Sequence, residues 1–227
     1  MADRVHKSIP WQFTFSNKKV IINEMTVSNR FTLARAIFAP IFYLLFNLPI
    51  WLNSHILGVV SACVMIPLLA VVEVTDYWDG HYARKYNEVS DFGKLFDPFA
   101  DVILNLTVFL CAVEAGYMPF LLFVLIFYRE FSQSFLRMVA LKKGVAIAAR
   151  KGGKLKTVFY IITGFFFLTL ESYTRFAFPF IPEFIDTIIK TSLLWSIRVL
   201  FVVCVLLSWG SFMDYIKSFH SILKGSE

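Results

Sequence analysis

Phe120-Leu121-Leu122-Phe123-Val124-Leu125-Ile126-Phe127 is an unbroken apolar run, and Val158 to Leu170 contains no charged residue. Two such stretches in one short chain point to a bilayer rather than to a soluble core. Working outward from them, six apolar stretches approach the roughly 20 residues needed to cross a hydrocarbon layer. They run approximately over 31–48, 55–75, 98–116, 118–140, 156–178 and 192–213. Of all 227 residues, 58% are hydrophobic, and the mean hydropathy is +0.66. Soluble domains hold roughly 45–50% apolar residues. A chain of this length could not keep the excess away from water, whereas lipid-facing side chains need no protein cover. The expectation is an all-α integral membrane protein, a bundle of six transmembrane helices.

The net charge is +6, but its distribution excludes a nucleic-acid groove, because no basic run is interleaved with aromatics. The basic residues fall in alternate connections. Arg4, Lys7, Lys18, Lys19 and Arg30 precede the first stretch, and Arg84, Lys85 and Lys94 join the second to the third. Lys142, Lys143, Arg150, Lys151, Lys154 and Lys156 join the fourth to the fifth. Asn47–Ser54 and Ala115–Pro119 carry no Lys or Arg. The positive-inside rule then places both termini in the cytoplasm. Residues 8–26 mix aromatics with Lys18 and Lys19 and are too polar to cross, so an interfacial amphipathic helix is expected there. The domain division is a cytoplasmic interfacial segment, 1–28, followed by a six-helix domain, 29–220. Nothing near Met1 reads as the apolar core of a signal peptide. Cys63, Cys111 and Cys204 stand singly in apolar surroundings and read as small hydrophobes.

The chemistry is concentrated where the second stretch meets the cytoplasm. Asp76 and Asp79 are three positions apart and share a helix face; Asp97 and Asp101, four apart, share another. Four carboxylates at the mouth of a membrane bundle stay ionised only with cations among them. Hard oxygen donors select Mg²⁺, Mn²⁺ or Ca²⁺, and a pair of such ions suits phosphoryl chemistry on a diphosphate. Gly80, Ala83 and Gly93 let a bulky ligand approach the backbone, and Arg84 supplies a fixed positive charge for a phosphate.

The pattern Asp76-x2-Asp79-Gly80-x2-Ala83-Arg84-x8-Gly93-x3-Asp97-x3-Asp101 resembles the signature of the CDP-alcohol phosphatidyltransferase family at every fixed position. The resemblance implies six membrane helices, a homodimer, and a site at the cytoplasmic face that holds two divalent cations, Mg²⁺ or Mn²⁺. It implies that Asp76, Asp79 and Asp97 ligate the metals, with Asp101 as catalytic base and further ligand. It also implies that Gly80, Ala83, Arg84 and Gly93 line the cytidine diphosphate pocket of CDP-diacylglycerol. Asn29 and Thr32 occupy the place of a family Asn-x2-Thr element and either touch the nucleotide or cap the first helix.

A second group of residues bears on the acceptor. Arg129-Glu130 and Arg137 lie near one helix face, and Gly152-Gly153-Lys154-Leu155-Lys156-Thr157 follows in the next connection. Arg129 is costly in a membrane unless it is paired or lines a wet cavity. The set Arg129, Arg137, Lys154 and Lys156 suits an acceptor that itself carries a phosphate. In order and spacing it is similar to the phosphatidylglycerophosphate synthase branch of the family, which implies glycerol 3-phosphate as acceptor and a bacterial inner membrane as location. Val102 after the last aspartate and Ser28 before Asn29 depart from that branch, which leaves inositol phosphate, serine or choline as alternative acceptors. A transporter with aspartates along its path is the reading from another class; such sites lie near the midplane on broken helices. Glu73, one turn before Asp76, either supports the aspartates or pairs with Arg35.

Overall fold

A computed structural model of the chain describes residues 27–86, 91–142, 151–176 and 180–224, with side chains described over 32–75, 96–140, 152–176 and 180–219. The expected interfacial helix at 8–26 lies outside the described residues. Among those described, all regular structure is helical. The helices are α1 (Val27–Trp51), α2 (His55–Tyr86), α3 (Asp91–Glu114), α4 (Phe120–Lys142), α5 (Lys151–Phe176) and α6 (Glu183–Lys224).

The short connections follow from local chemistry. Helix α1 ends with Asn53 in the left-handed region (φ 47°), and the Ser54 amide donates to the Pro49 carbonyl at 3.0 Å. Helix α3 ends in the same way on Gly116 (φ 78°), with the Tyr117 amide 2.9 Å from the Ala112 carbonyl. Both are the six-to-one closure that a residue with positive φ permits, and Gly and Asn adopt that conformation at least cost. The Ser54 hydroxyl accepts from the Leu57 amide at 3.4 Å and caps α2. Pro40, Pro49, Pro67 and Pro98 sit inside helices, as membrane helices allow when neighbours satisfy the freed carbonyls.

The helices close into a ring. Helix α1 packs on α2 and α3, α2 on α5, α5 on α6, α6 on α4, and α4 back on α3; α3 also touches α5 across the middle. The core is aromatic. Phe109 packs edge-on against Phe201 with centroids 5.2 Å apart and against Tyr160 at 5.0 Å. Phe46 meets Phe167 at 5.6 Å. Gly164 of α5 faces Val108 and Leu69, and a Cβ there would stand 3.4 Å from the Val108 methyl. The small residue therefore lets three helices approach closely.

The outer surface is apolar on every helix, for example at Ile41, Ile56, Phe99, Phe131, Val158 and Leu206, the last 67% exposed. Exposed apolar surface on this scale has no place in water. Among the described residues five helices are long and apolar enough to cross a membrane: Thr32–Trp51, His55–Thr75, Phe96–Glu114, Gly152–Phe176 and Glu183–Phe219. The chain is a multi-pass membrane protein. Helix α4 falls outside that set because Arg129, Glu130 and Arg137 interrupt its apolar run.

Because successive helices alternate in direction, the ring has two distinct ends. At the far end a buried polar clasp joins three helices. Arg175 of α5 donates through Nε to Glu171 at 2.7 Å and through NH2 to the Phe46 carbonyl of α1 at 3.0 Å; NH1 bonds the Ser61 hydroxyl of α2. The Tyr117 hydroxyl closes on Glu171 at 2.8 Å. Beside it, Tyr43 and Asn47 of α1 donate to Glu114 of α3 at 2.6 and 2.7 Å. The site residues gather at the opposite end.

Candidate active site

Helices α1 and α3 meet at the site end through two polar pairs. The Thr32 hydroxyl donates to Asp97, and Arg35 forms an ion pair with Asp101. The side chains of Arg35 and Thr32 are buried, whereas that of Asp101 is 39% exposed, so the carboxylate is gripped from the α1 side while the rest of it reaches the open rim. Arg35 therefore bridges α1 to Asp101 of α3. Thr32, expected to touch the nucleotide or to cap the first helix, donates its hydroxyl to Asp97.

Helix α2 begins beside the far-end clasp, where the Ala62 carbonyl accepts from Ser172 at 3.4 Å, and it runs toward the site end. Its last turns carry positions 76, 79, 80, 83 and 84. The side chains of Asn29, Asp76, Asp79, Ala83 and Arg84 lie outside those described, and Gly80 and Gly93 are placed by their backbone alone. The expected convergence of four aspartates therefore falls partly outside the described side chains, of which Asp97 and Asp101 are described. Asp97 and Asp101 stand one turn apart with hard oxygen donors, a donor set that fits Mg²⁺ or Mn²⁺. Among the described residues no group of three or more His, Cys, Asp or Glu converges.

Next to Asp101 lies a cavity of about 230 Å³ between α3, α4, α5 and α6. Asp101 and Asn105 form its α3 wall, one turn apart. Arg129, Gln133 and Arg137 form its α4 wall at successive four-residue steps, which place them on one helix face. Lys154, Lys156 and Thr157 close it from α5, with Ser211 and Tyr215 from α6. All four cations expected from the sequence, Arg129, Arg137, Lys154 and Lys156, therefore share one cavity with Asp101.

They are not equivalent. Arg129 is fully buried. Its Nε donates to the Ser208 carbonyl at 2.9 Å and its NH2 to the Ser211 hydroxyl at 3.2 Å. Glu130, 3% exposed, gathers three partners on one oxygen. Arg129 NH1 stands 2.8 Å from Oε1, Lys156 Nζ 2.7 Å and the Tyr160 hydroxyl 2.9 Å. The Tyr160 hydroxyl also lies 2.8 Å from Ser208 Oγ, and Lys156 sits over the Tyr160 ring at 4.8 Å. Arg129 and Lys156 thus hold α4, α5 and α6 together through Glu130. Lys154 is exposed at the rim, and Arg137 is half-buried.

A buried acceptor on the α4 wall, Gln133 Oε1, has no hydrogen-bond partner among the described residues. A buried polar atom left unsatisfied costs about 1–3 kcal/mol, so this acceptor, on a residue that lines the cavity, marks it as a place for a polar ligand. Glu130, Gln133, Asn105 and Tyr160 were not among the expected site residues. The four-residue steps 101/105 and 129/133/137 are the signal that could have found Asn105 and Gln133.

The sequence model of the CDP-alcohol phosphatidyltransferase family matches residues 25–203. A CDP-diacylglycerol–glycerol-3-phosphate 3-phosphatidyltransferase of Treponema pallidum (strain Nichols) is 37% identical over 204 residues, 88% of this chain and 92% of the relative. A protein of the same description from Bacillus subtilis (strain 168) is 34% identical over 59% of this chain and 72% of its own length. A probable phosphatidylglycerophosphate synthase of Mycobacterium tuberculosis (strain CDC 1551 / Oshkosh) is 33% identical over 64% of this chain and 67% of that relative. With the aspartate signature carried on α2 and α3 and the matched region running from just before α1 to the middle of α6, the chain belongs to the CDP-alcohol phosphatidyltransferase family.

Proposed function

We propose that this chain transfers the phosphatidyl group of CDP-diacylglycerol to glycerol 3-phosphate, giving phosphatidylglycerophosphate and CMP. One observation carries the acceptor assignment: Asp101 and a cluster of cations line the same cavity. A phosphate dianion needs fixed positive charge, and arginine offers it as a planar fork. Since Arg129 and Lys156 are engaged by Glu130 and by α6, Arg137 and Lys154 are assigned the acceptor phosphate, with Arg129 and Lys156 raising the positive potential behind them. Gln133 Oε1 is placed to accept from a hydroxyl of the glycerol.

In this reading Asp101 takes the proton from an acceptor hydroxyl. That oxygen forms a bond to the phosphorus bearing the diacylglycerol, and the bond from that phosphorus to the CMP oxygen breaks. Arg35 orients Asp101, and Thr32 orients Asp97. Asp76, Asp79, Asp97 and Asp101 would hold two divalent cations, Mg²⁺ or Mn²⁺, which when bound neutralise the diphosphate and the departing CMP. Gly80, Ala83, Arg84, Gly93 and Asn29 are assigned to the nucleotide. The chain is read as crossing the membrane six times, α4 included, with residues 1–28 at the interface and 29–220 as the catalytic domain. The site end faces the cytoplasm, in a bacterial inner membrane, and two chains form a homodimer.

An acceptor panel tests this. Purified protein with labelled CDP-diacylglycerol and Mg²⁺ or Mn²⁺ is offered glycerol 3-phosphate, inositol phosphate, serine and choline, and CMP release is followed. Release with glycerol 3-phosphate alone is expected; release with another alcohol instead overturns the acceptor, and none with any of the four overturns the reaction. Asp97→Asn should abolish release in a protein that still folds, and full activity in that variant would remove the metal assignment.

A further inference from the structure

Gln133 stands on α4 one turn from Arg129 and one turn from Arg137, on the face that lines the polar cavity. Its side-chain oxygen Oε1 is buried and has no hydrogen-bond partner among the described residues. Its neighbours are donors. Arginine and lysine carry N–H groups and no acceptor, and Arg129, Arg137 and Lys156 line the same space. None of them donates to Gln133. Arg129 turns instead to α6, where the Ser208 carbonyl and the Ser211 hydroxyl accept from it, and Lys156 turns to Glu130. A buried acceptor beside so many donors, left open by all of them, is free for a donor that arrives with the ligand.

The chemistry of the acceptor identifies that donor. Glycerol 3-phosphate has a phosphate at one end and hydroxyls on its other two carbons. The phosphate dianion brings acceptors and goes to the cations Arg137 and Lys154. The terminal hydroxyl, least hindered and farthest from the phosphate, goes to Asp101 as the attacking group. The middle hydroxyl remains, with one O–H to donate. Gln133 and Arg137 are one turn apart, about 5–6 Å between Cβ atoms, the scale on which a three-carbon chain separates its substituents. Glu130, also in this wall, is occupied by Arg129, Lys156 and Tyr160.

We propose that Gln133 selects the handedness of the acceptor: its Oε1 accepts from the middle hydroxyl of sn-glycerol 3-phosphate. It is the third point of a three-point attachment, the other two being Asp101 and the Arg137–Lys154 pair. This rests on the glycerol 3-phosphate reading and adds how that acceptor is told from its mirror image. Two points cannot make the distinction. With the phosphate and the terminal hydroxyl fixed, sn-glycerol 1-phosphate exchanges the middle hydroxyl with a hydrogen, and the hydrogen then faces Gln133. A site built around a buried acceptor rejects the molecule that leaves it unpaired. The same holds for a phosphate ester that lacks the middle hydroxyl.

Discrimination among acceptors tests this, because a ratio of kcat/KM values within one preparation does not depend on how much of the protein is folded. Full-length protein in detergent micelles is given labelled dihexanoyl CDP-diacylglycerol and Mg²⁺ or Mn²⁺, and CMP release is followed. The acceptors are sn-glycerol 3-phosphate, its mirror image, and 3-hydroxypropyl phosphate, which keeps both ends and lacks the middle hydroxyl. The unaltered protein should favour the first over each of the others by about 10- to 100-fold, the effect of one buried acceptor left unpaired. In Gln133→Leu both ratios should fall close to one, with kcat/KM for 3-hydroxypropyl phosphate held or raised while that for sn-glycerol 3-phosphate drops. Should Gln133→Leu lose all turnover, Gln133→Met, which keeps the length of the side chain, gives the same reading. Ratios near or below one in the unaltered protein, ratios unchanged in the variant, or loss of turnover on all three acceptors in both variants overturns the assignment. Failure of the glycerol 3-phosphate reading itself shows differently, as an unaltered protein that releases no CMP with any of the three.

Discussion

Glu130 of α4 and Lys156 of α5 are 26 residues apart in sequence and meet at 2.7 Å with the carboxylate almost wholly buried. The same oxygen holds Arg129 and Tyr160. Lys156 is thereby a counter-ion within the wall of the cavity as much as a cation facing into it. Removing one member of a buried charged pair costs about 3–5 kcal/mol, because the survivor is left uncompensated.

Glu130→Gln should therefore lower the thermal stability of the solubilised protein. Adding Lys156→Met, which removes one of the stranded positive charges, should recover part of that loss. The measurement is a double-mutant cycle on thermal unfolding, with an expected coupling of about 1–3 kcal/mol. Strictly additive losses would show that the two side chains do not depend on each other.

Arg137 and Lys154 bear on substrate binding rather than folding, since they lie toward the rim. Arg137→Ala should raise the KM for glycerol 3-phosphate by about 10- to 100-fold, the worth of a hydrogen bond to a charged group. The KM for dihexanoyl CDP-diacylglycerol should change little. Steady-state kinetics with each substrate varied in turn checks this, and equal rises in both constants would count against an acceptor-phosphate role.

The far-end clasp predicts a loss of stability without a change in chemistry. Arg175→Ala strips Glu171, the Ser61 hydroxyl and the Phe46 carbonyl of their shared donor. The bundle should lose about 3 kcal/mol, read as a lower denaturation midpoint. The KM values of the surviving folded fraction should match those of the unaltered protein.

Much of the architecture was legible because apolar run length is a direct measure of the layer it must cross. The stretch 55–75 coincides with the membrane part of α2, His55–Thr75. The sixth stretch, 192–213, was drawn too short: α6 runs Glu183–Lys224. An apolar window shows where a helix meets lipid, and a helix need not stop there. Pro182 starts α6, its carbonyl accepting from the Asp186 amide at 3.0 Å, with Glu183 and Asp186 in the first turn where acidic groups favour the helix dipole.

At the site, spacing identified the cations that share the cavity with Asp101, because four-residue steps mark one helix face. What spacing could not show was which of them are already engaged. Arg129 is held by a backbone carbonyl and a hydroxyl about 80 positions downstream on α6, and any residue at position 208 would offer that carbonyl. Arg35 is similar: its pairing with Asp101 spans 66 positions, and spacing within one helix carries no signal for a partner on another.

The burial of Arg129 has a consequence for how the protein is made. In the finished ring its guanidinium is satisfied by α6, yet α4 emerges from the ribosome long before α6 exists. An arginine at the centre of a helix raises the cost of membrane insertion by about 2.5–3.5 kcal/mol, and neighbouring Glu130 can offset only part of it. Helix α4 should therefore be admitted late or reversibly during biogenesis, waiting for the C-terminal helix to arrive. A nascent chain halted before Glu183 should show α4 partly accessible from the aqueous side, and release of the remaining residues should seal it.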